Sequence, residues 1–508
     1  MSVALFAFGV AFVLYVAFGY PALLAALARF RTAPIAASPQ WKTVSILLPV
    51  HNGAPWMEAK LRSILALDYP RELLQVVVIS DGSGDRTGEI AREFAPQGVE
   101  LVSLPRGGKA AALNEGIRRA TGEILFFTDV RQELDPASLR SLVSSLADPK
   151  VGVVSGELVI RQGRTLEEAN VGAYWRYEKW IRKHQSRIDS IMGATGCIYA
   201  MRASLAAPLD PDTILDDVVL PLGAFFQGYR LIFDEGARAY DDPTSLASEF
   251  RRKVRTLAGV YQTIGKVPQL LGPRNRMWIH FVSHKLGRLL LPWAMLLILA
   301  GSLGLPGLWR TLALSAQAAF YGLALLDLVA GARSPLKRIT SPARTVFVLI
   351  AAAFCAVFYL LLPRQPLWQP TGSPQAGPSE GPGTEYHGHI VGLSQKDRRI
   401  FQTLKVIGRR RALWGIVTVF KVGVPEDQIE SVIGRLQENM SKSLLFLPQE
   451  YYAHFYRGTE LIVVFRNRVF RVNTDRGTWQ EAVAYGKALG IAERQLDFAP
   501  CRVEDETY

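Results

Sequence analysis

From Val3 to Ala28 the chain is almost unbroken apolar residue, and such a run leaves few structural options. It is long enough to cross a bilayer as a helix. In lipid only a helix or a closed barrel satisfies its own backbone polar groups. No positive charge precedes the run and it outlasts a signal-peptide core, so an uncleaved anchor is expected over residues 1–30. Arg29 and Arg31 follow, which places that end in the cytoplasm by the excess of basic residues on cytoplasmic loops. Three further apolar runs lie late in the chain, about Leu289–Leu305, Leu312–Gly331 and Thr345–Leu362. The loop Arg333–Arg344 carries Arg333, Lys337, Arg338 and Arg344, whereas the loop before it has only Arg310, so the former is placed inside. The expectation is an integral protein of a bacterial-type inner or plasma membrane, with four spans and both chain ends outside. Asp327 falls late in its run and is expected to reach toward the interface.

Between the first and second runs the pattern changes. From Thr43 to about Phe233, short β-rich runs alternate with helical ones. VSILLPV (Val44–Val50), QVVVIS (Gln75–Ser80) and EILFFTD (Glu123–Asp129) read as strands covered on both faces. Helical periodicity fills Trp56–Leu67, Thr87–Phe94 and Lys109–Ala120. Strand–helix–strand alternation predicts an α/β fold with a doubly wound sheet, set into the cytoplasm over residues 42–262. Arg274–Arg288 mixes Trp, Phe and His with basic residues, so residues 263–288 are expected to form interfacial helices against membrane lipid. Residues 289–362 hold the three late spans. Residues 363–383 are rich in Pro, Gly, Ser and Gln, and read as a linker. Residues 384–508 read as a separate α+β domain on the extracytoplasmic side. Its strands are expected at Leu413–Val424, Tyr451–Tyr456, Leu461–Phe465 and Val469–Val472, and its helices at Pro425–Met440 and Thr478–Leu489. His387 and His389 could be metal ligands, but as two histidines of the linker with no partners in sequence they are read as solvated.

Charge narrows the partners. The formal net charge of +13 suits anionic ligands and the cytoplasmic face of a membrane. No helix–turn–helix, zinc-finger or aromatic RNA-binding signature accompanies it, so nucleic acid is not an expected partner. The three cysteines, Cys197, Cys355 and Cys501, are too far apart for a disulfide framework or a metal cluster.

Four groups of polar residues sit where strands end, which is where open α/β sheets bind ligands. Asp81 closes VVVISDGSGDRT; it is placed either to accept hydrogen bonds from a nucleoside or simply to shape an Asp–Gly turn. In PRGGKAAALNEG, Gly107 and Gly108 open a helix with Lys109 in its first turn, which makes an anion site. The spacing is not that of a Walker loop. Asp129 ends ILFFTDVRQELDP and is either a cap before the helix at Pro136 or a ligand for a divalent cation. Asp216 and Asp217 open an apolar helix; they offset its dipole, or one of the pair is a general base with a raised pKa. Downstream, FRRKVRTLAG gathers Arg251, Arg252, Lys253 and Arg255, either to hold a leaving diphosphate or to touch lipid headgroups.

Taken together these segments resemble the membrane-bound, processive-type family 2 glycosyltransferases, among them cellulose, hyaluronan and poly-N-acetylglucosamine synthases. The likeness covers about Thr43 to Leu362. The resemblance implies a nucleotide-sugar-binding sheet of the GT-A type and inverting transfer from a nucleotide diphosphate, a UDP-sugar being expected, to a saccharide or lipid-linked acceptor. The product would be an extracellular polysaccharide or a glycolipid. SDGSGDRT matches the family's nucleotide-contacting motif at Asp81, and RGGKAAALNEG its lysine segment at Lys109. TDVRQELDP aligns with the DxD segment, which makes Asp129 a ligand of Mg2+ or Mn2+. GATGCIYAMR aligns with the acceptor-side segment. LDDVVLP aligns with the TED motif, so Asp217 takes the base role beside Asp216. RKVRTLAG stands where the family has QxxRW, so Arg255 takes the place of its Arg. Two positions depart from the pattern: Arg131 stands for the second Asp of DxD, and Arg252 and Thr256 replace the Gln and Trp of QxxRW. Arg131 could thus supply part of the metal's charge. These departures also motivate the alternative, a glycosyltransferase-like membrane protein that binds nucleotide sugar without catalysis and scaffolds partners. A transporter is set aside, because the spans show no inverted repeat.

Overall fold

In the computed structural model the chain forms two compact units, Met1–Ser373 and Pro374–Tyr508. The structure describes all residues except 162–165, 243–245, 331–333, 335, 362–384, 396, 398–399, 413–416, 442, 445–446, 449–450, 474, 492–495, 497 and 499–508. The expected linker therefore lies outside the described residues, as does Cys501.

In the first unit, β1 (Val44–Val50), β2 (Leu74–Asp81), β3 (Val99–Leu104) and β4 (Ile124–Phe127) are joined by β5 (Glu133–Leu134), β6 (Val151–Ile160), β7 (Tyr199–Arg202) and β8 (Arg230–Asp241) in one eight-stranded sheet. Its order is β3-β2-β1-β4-β7-β6-β8-β5. The first four strands run parallel, as their apolar runs predict. All seven residues of β1 are buried, because alternate side chains enter cores on opposite faces. Ile46 and Leu48 meet Met57 and Leu61 of the helix Ala54–Leu65 on one face, and Leu47 meets Leu113 on the other. The second half of the sheet is mixed, since β7 lies antiparallel between β4 and β6. Pairing of Phe127 with Tyr199 brings the segment before β7 to the edge where β4 ends. β8 runs parallel to β6, so its last residue, Asp241, reaches the same edge.

Among the described residues, three helices are long and apolar enough to cross a membrane: Ser2–Phe30, Trp278–Leu303 and Lys337–Phe358. The expected run Leu312–Gly331 also forms a helix, Gly307–Val329, but it carries Arg310, Gln317 and Asp327 and is not one of the three. The expected interfacial segment up to Arg288 is not a separate helix. From Trp278 it continues, through a π-helical stretch at Phe281–Leu286, directly into the apolar run. Asp327 does not reach outward to the interface as expected. Its side chain is fully buried, 3.0 Å from Lys337 Nζ and 3.1 Å from Arg344, and it accepts a 2.7 Å hydrogen bond from Thr340 Oγ1. An ion pair satisfies an acid among apolar helices at lower cost than a bent path to water.

In the second unit, β9 (Glu385–Val391), β10 (Lys405–Ala412) and β11 (Val417–Pro425) join β14 (Tyr452–Arg457), β15 (Glu460–Phe465) and β16 (Arg468–Asn473) in an antiparallel sheet of order β10-β11-β9-β14-β15-β16, while β12 (Ser443–Leu444) and β13 (Leu447–Pro448) pair apart. The helix Ile429–Asn439 buries Val432, Ile433 and Leu436 on one face, and the helix Gln480–Ala488 packs Ala482 on the other. This is the α+β arrangement expected, with β9 and β10 added to the sheet and the short β12–β13 pair beside it among the described residues. The reading of His387 and His389 is corrected: both lie on β9, and His389 Nδ1 is 3.3 Å from His454 Nε2 across the β9–β14 pair. Glycine between the two histidines masked the strand's alternation.

Candidate active site

Parallel β1, β2 and β4 end at one edge of the sheet, and two loops there are laced together. Asn52, with φ of 49°, accepts from Gly84 N through its side chain at 2.9 Å, while Asn52 N donates to Ser83 Oγ at 3.1 Å. His51 Nδ1 lies 2.8 Å from the Asp81 carbonyl oxygen. Asp81 is buried. Its carboxylate accepts hydrogen bonds from Gly107 N at 2.6 Å and Gly108 N at 3.0 Å and pairs with Arg106. The amides expected to form an anion site thus hold the Asp81 carboxylate, which shapes the loop ahead of Lys109. Gly82 is required here: φ is +62°, and a Cβ would lie 2.7 Å from the Arg106 nitrogen.

Lys109 begins the helix Lys109–Arg119 and points across the edge. Its ammonium lies 2.9 Å from Asp129 Oδ1 and 3.2 Å from Asp216 Oδ2. Burial disfavours this charge, but Asp129, Asp216 and Asp217 outweigh it and hold the ammonium above its usual range. Beneath Asp129, the fully buried Lys60 donates to Thr128 Oγ1 and to the Gln132 carbonyl, both at 2.6 Å. Burial lowers the Lys60 pKa to about 7. Thr128 in turn donates to the Cys197 carbonyl at 2.8 Å, tying the end of β4 to the segment before β7.

Asp216 and Asp217 start the helix Asp216–Phe226. Burial first, and then the Asp216 carboxylate, raises the Asp217 pKa to about 6, while Lys109 and Lys285 oppose the shift. The segment Gly193–Cys197 packs against it, with Ala194 N donating to the Asp217 carbonyl at 2.7 Å. A Cβ on Gly196 would sit 3.0 Å from Asp217 Oδ2. Gly196→Ala is therefore expected to press on this carboxylate and lower turnover several-fold while leaving the melting temperature within a few degrees, which steady-state kinetics and a thermal melt would check.

A cavity of about 860 Å³ opens over this edge, and Lys109, Asp129, Asp216, Asp217, Arg131, Arg252 and Arg255 all line it. Asp81 lies behind its wall rather than on it, with Arg106 and Gly108 between. Arg255, on the helix Leu246–Lys266, makes no hydrogen bond or ion pair among the described residues, and its Nε is buried. Arg252 stacks over Trp175 at 5.1 Å. Arg131 pairs with Asp241, and Gln132 Nε2 donates to the same carboxylate at 2.9 Å. The guanidinium expected to supply metal charge thus has a carboxylate of its own.

A divalent ion is compatible with this donor set. Asp129 keeps a third of its side chain exposed (34%) and engages Lys109 through one oxygen, and Mg2+ or Mn2+ is commonly held by one or two carboxylates plus substrate phosphates. Among the described residues no group of three or more His, Cys, Asp or Glu could hold an ion unaided.

Sequence reasoning missed Lys60, Trp175, His51 and Asn52. The HNG after β1 was a visible signal for the last two; Lys60 and Trp175 sit on helical faces that show no sign of the site.

Residues 45–207 match the family model described as glycosyl transferase family 2. This chain carries a family 2 glycosyltransferase domain. Among curated relatives, a poly-beta-1,6-N-acetyl-D-glucosamine synthase of Staphylococcus epidermidis is 26% identical over 233 residues, covering 44% of this chain and 56% of the relative. "Probable glycosyltransferase YdaM" of Bacillus subtilis is 26% identical over 244 residues, covering 44% and 57%. The chain thus spans little more than half the length of these relatives. Among solved structures, the mannosyltransferase PcManGT from Pyrobaculum calidifontis, in complex with GDP-Man and Mn2+, is 25% identical with a TM-score of 0.55. The match covers 70% of this chain and 99% of that one, so the family 2 domain has a GT-A fold.

Proposed function

We propose that this protein is a membrane glycosyltransferase that moves a sugar from a nucleotide diphosphate, with inversion, to a saccharide or lipid-linked acceptor. One observation carries the reading: the Lys109 ammonium bridges Asp129 and Asp216 beside Asp217, whose pKa is raised toward the working range of a general base. The acceptor hydroxyl oxygen attacks the anomeric carbon, and Asp217 takes its proton as the bond to the diphosphate breaks. Lys109 and Arg255 stabilise the charge that develops on the leaving diphosphate. Arg252 borders the same space. Asp81 acts through the loop it holds, setting where Lys109 begins its helix. Asp129 would hold Mg2+ or Mn2+, which when bound adds Lewis-acid charge against the diphosphate. Trp175 offers the flat apolar surface that Thr256 cannot.

The alternative of binding without catalysis gives no reason for a half-buried carboxyl with a raised pKa at the cavity wall. The three apolar helices support a membrane setting, with the family 2 domain on the cytoplasmic side where nucleotide sugars are made.

The test is a panel of radiolabelled UDP- and GDP-sugars offered to the purified protein in lipid, with product sizing. One donor is expected to label an acceptor, and EDTA to lower the rate at least tenfold until Mn2+ or Mg2+ is restored. Label transfer from none of them would remove the reading. The acidic limb of the rate should follow Asp217: it must be ionised to accept a proton, so kcat/KM is expected to rise with pH through about 6, well above the ordinary carboxylate range. The folded state holds this proton more tightly than the unfolded chain, so the same group disfavours folding increasingly as pH rises to that value.

A further inference from the structure

The cavity extends from the sheet edge to the apolar helices. Val13 and Val16 of the first helix, Leu291, and Val346 and Ile350 of the helix Lys337–Leu361 line it together with the charged residues of the site. One continuous space therefore joins Asp217 to side chains of all three helices that can cross a membrane.

Where the polar and apolar linings meet, the charge is positive. Lys285 and Arg288 lie on the helix that carries Leu291, and Arg182 reaches in from the helix Leu166–Ile188. Arg288 pairs with Glu178. Arg182 donates to neutral oxygens: Thr195 Oγ1 at 2.7 Å, Ser155 Oγ at 2.9 Å and the Gly193 carbonyl at 3.2 Å. Lys285 makes no hydrogen bond or ion pair among the described residues, and it is near enough to Asp217 to lower its pKa. Glu178 and Asp217 are the two carboxylates that Lys285, Arg288 and Arg182 share, so positive charge is in excess at this apolar border, where it is costly. A neutral sugar chain would not offset that cost, whereas a phosphate would.

Resting on the function proposed above, we infer that the acceptor is a lipid with a phosphate in its headgroup and a free hydroxyl beyond the phosphate. The hydrocarbon lies between the membrane helices, the phosphate meets Lys285 and Arg182, and the hydroxyl reaches Asp217. The transfer balances without a further reactant. The hydroxyl oxygen forms the bond to the anomeric carbon, the electron pair of the broken bond leaves on the nucleoside diphosphate, and the proton passes to Asp217. The phosphate itself is not the nucleophile, since a phosphate oxygen would give Asp217 no proton to take.

The test uses the full chain in nanodiscs with its labelled donor. Membrane lipids of the expressing cells are separated by anion exchange into anionic and neutral fractions, and a water-soluble oligosaccharide and glycerol phosphate serve as further arms. Label is expected in a solvent-extractable product from the anionic fraction, retained on anion exchange, and at least tenfold less from every other arm. Lys285→Ala should raise the KM for that fraction at least tenfold with a smaller change in donor KM, and Lys285→Arg should restore it. Equal labelling of neutral lipid or oligosaccharide, labelling of glycerol phosphate as fast as of the lipid, or an acceptor KM indifferent to Lys285→Ala would overturn the inference. So would release of nucleoside diphosphate with no labelled lipid. If no donor is turned over in any arm, the glycosyltransferase reading falls as well, which separates the two failures.

Discussion

Asp217→Asn is expected to lower kcat by roughly 10²–10⁴-fold, the range in which a positioned general base acts. The amide keeps the size of the side chain, so its packing against Gly196 and the backbone bond from Ala194 remain. Nucleotide-sugar affinity, measured by calorimetry, should stay within about threefold, because the groups proposed to meet the diphosphate, Lys109 and Arg255, are untouched. The acidic limb of the pH profile should disappear with the carboxyl group. A variant with wild-type turnover would remove Asp217 from the base role and leave Asp216 as the remaining carboxylate of the pair.

The second large effect is expected from Lys109→Met. The substitution removes the cation between Asp129 and Asp216 and leaves Asp217 nearby, so three carboxylates face each other with Asp216 buried. Breaking a buried pair by deleting one partner costs on the order of 3–5 kcal/mol. Proton uptake relieves part of that. The sign follows from linkage: without the ammonium, the folded-state carboxyl pKa values rise above those of the unfolded chain, so stability is retained at low pH and lost as pH rises through the new values. Thermal melts should therefore show a deficit against wild type that grows from about pH 5 to about pH 8. Transfer should fall by at least about 10² at every pH, since the leaving diphosphate loses a cation fixed in place. An unchanged melting curve at about pH 8 would mean that the bridge carries little of the site's stability.

The two effects part in a useful way. Asp217 is predicted to matter for rate and little for fold, whereas Lys109 is predicted to serve both, because in the proposed reaction one ammonium acts as structural counter-ion and as partner for the diphosphate. Lys60 shows the same economy one layer down. It is fully buried and holds Thr128 and the Gln132 carbonyl, so the direction of the Asp129 segment depends on an amine that does not line the cavity.

Much of the site was legible because strand ends are local facts. Apolar runs that stop at Asp81 and Asp129 locate those residues at one edge of a parallel sheet without any knowledge of contacts, and three of the four long apolar runs coincide with helices long and apolar enough to cross a membrane. Asp216 and Asp217 are readable as the opening of a helix for the same reason. Partnerships are not local. Arg131 lies next to a predicted ligand in sequence, yet its guanidinium pairs with Asp241, more than a hundred residues away, because β8 runs parallel to β6 and ends at the same edge. Asp327 and Lys337 meet only because two helices pack side by side. His389 meets His454 only through the register of β9 with β14. The sequence by itself determined which residues stand at the ends of strands and which segments form long apolar helices, since both follow from the order of apolar and polar side chains along the chain. Tertiary structure alone decided which charge neutralises which, because a buried ion pair depends on sheet order, register and helix packing, and distance along the chain carries none of these.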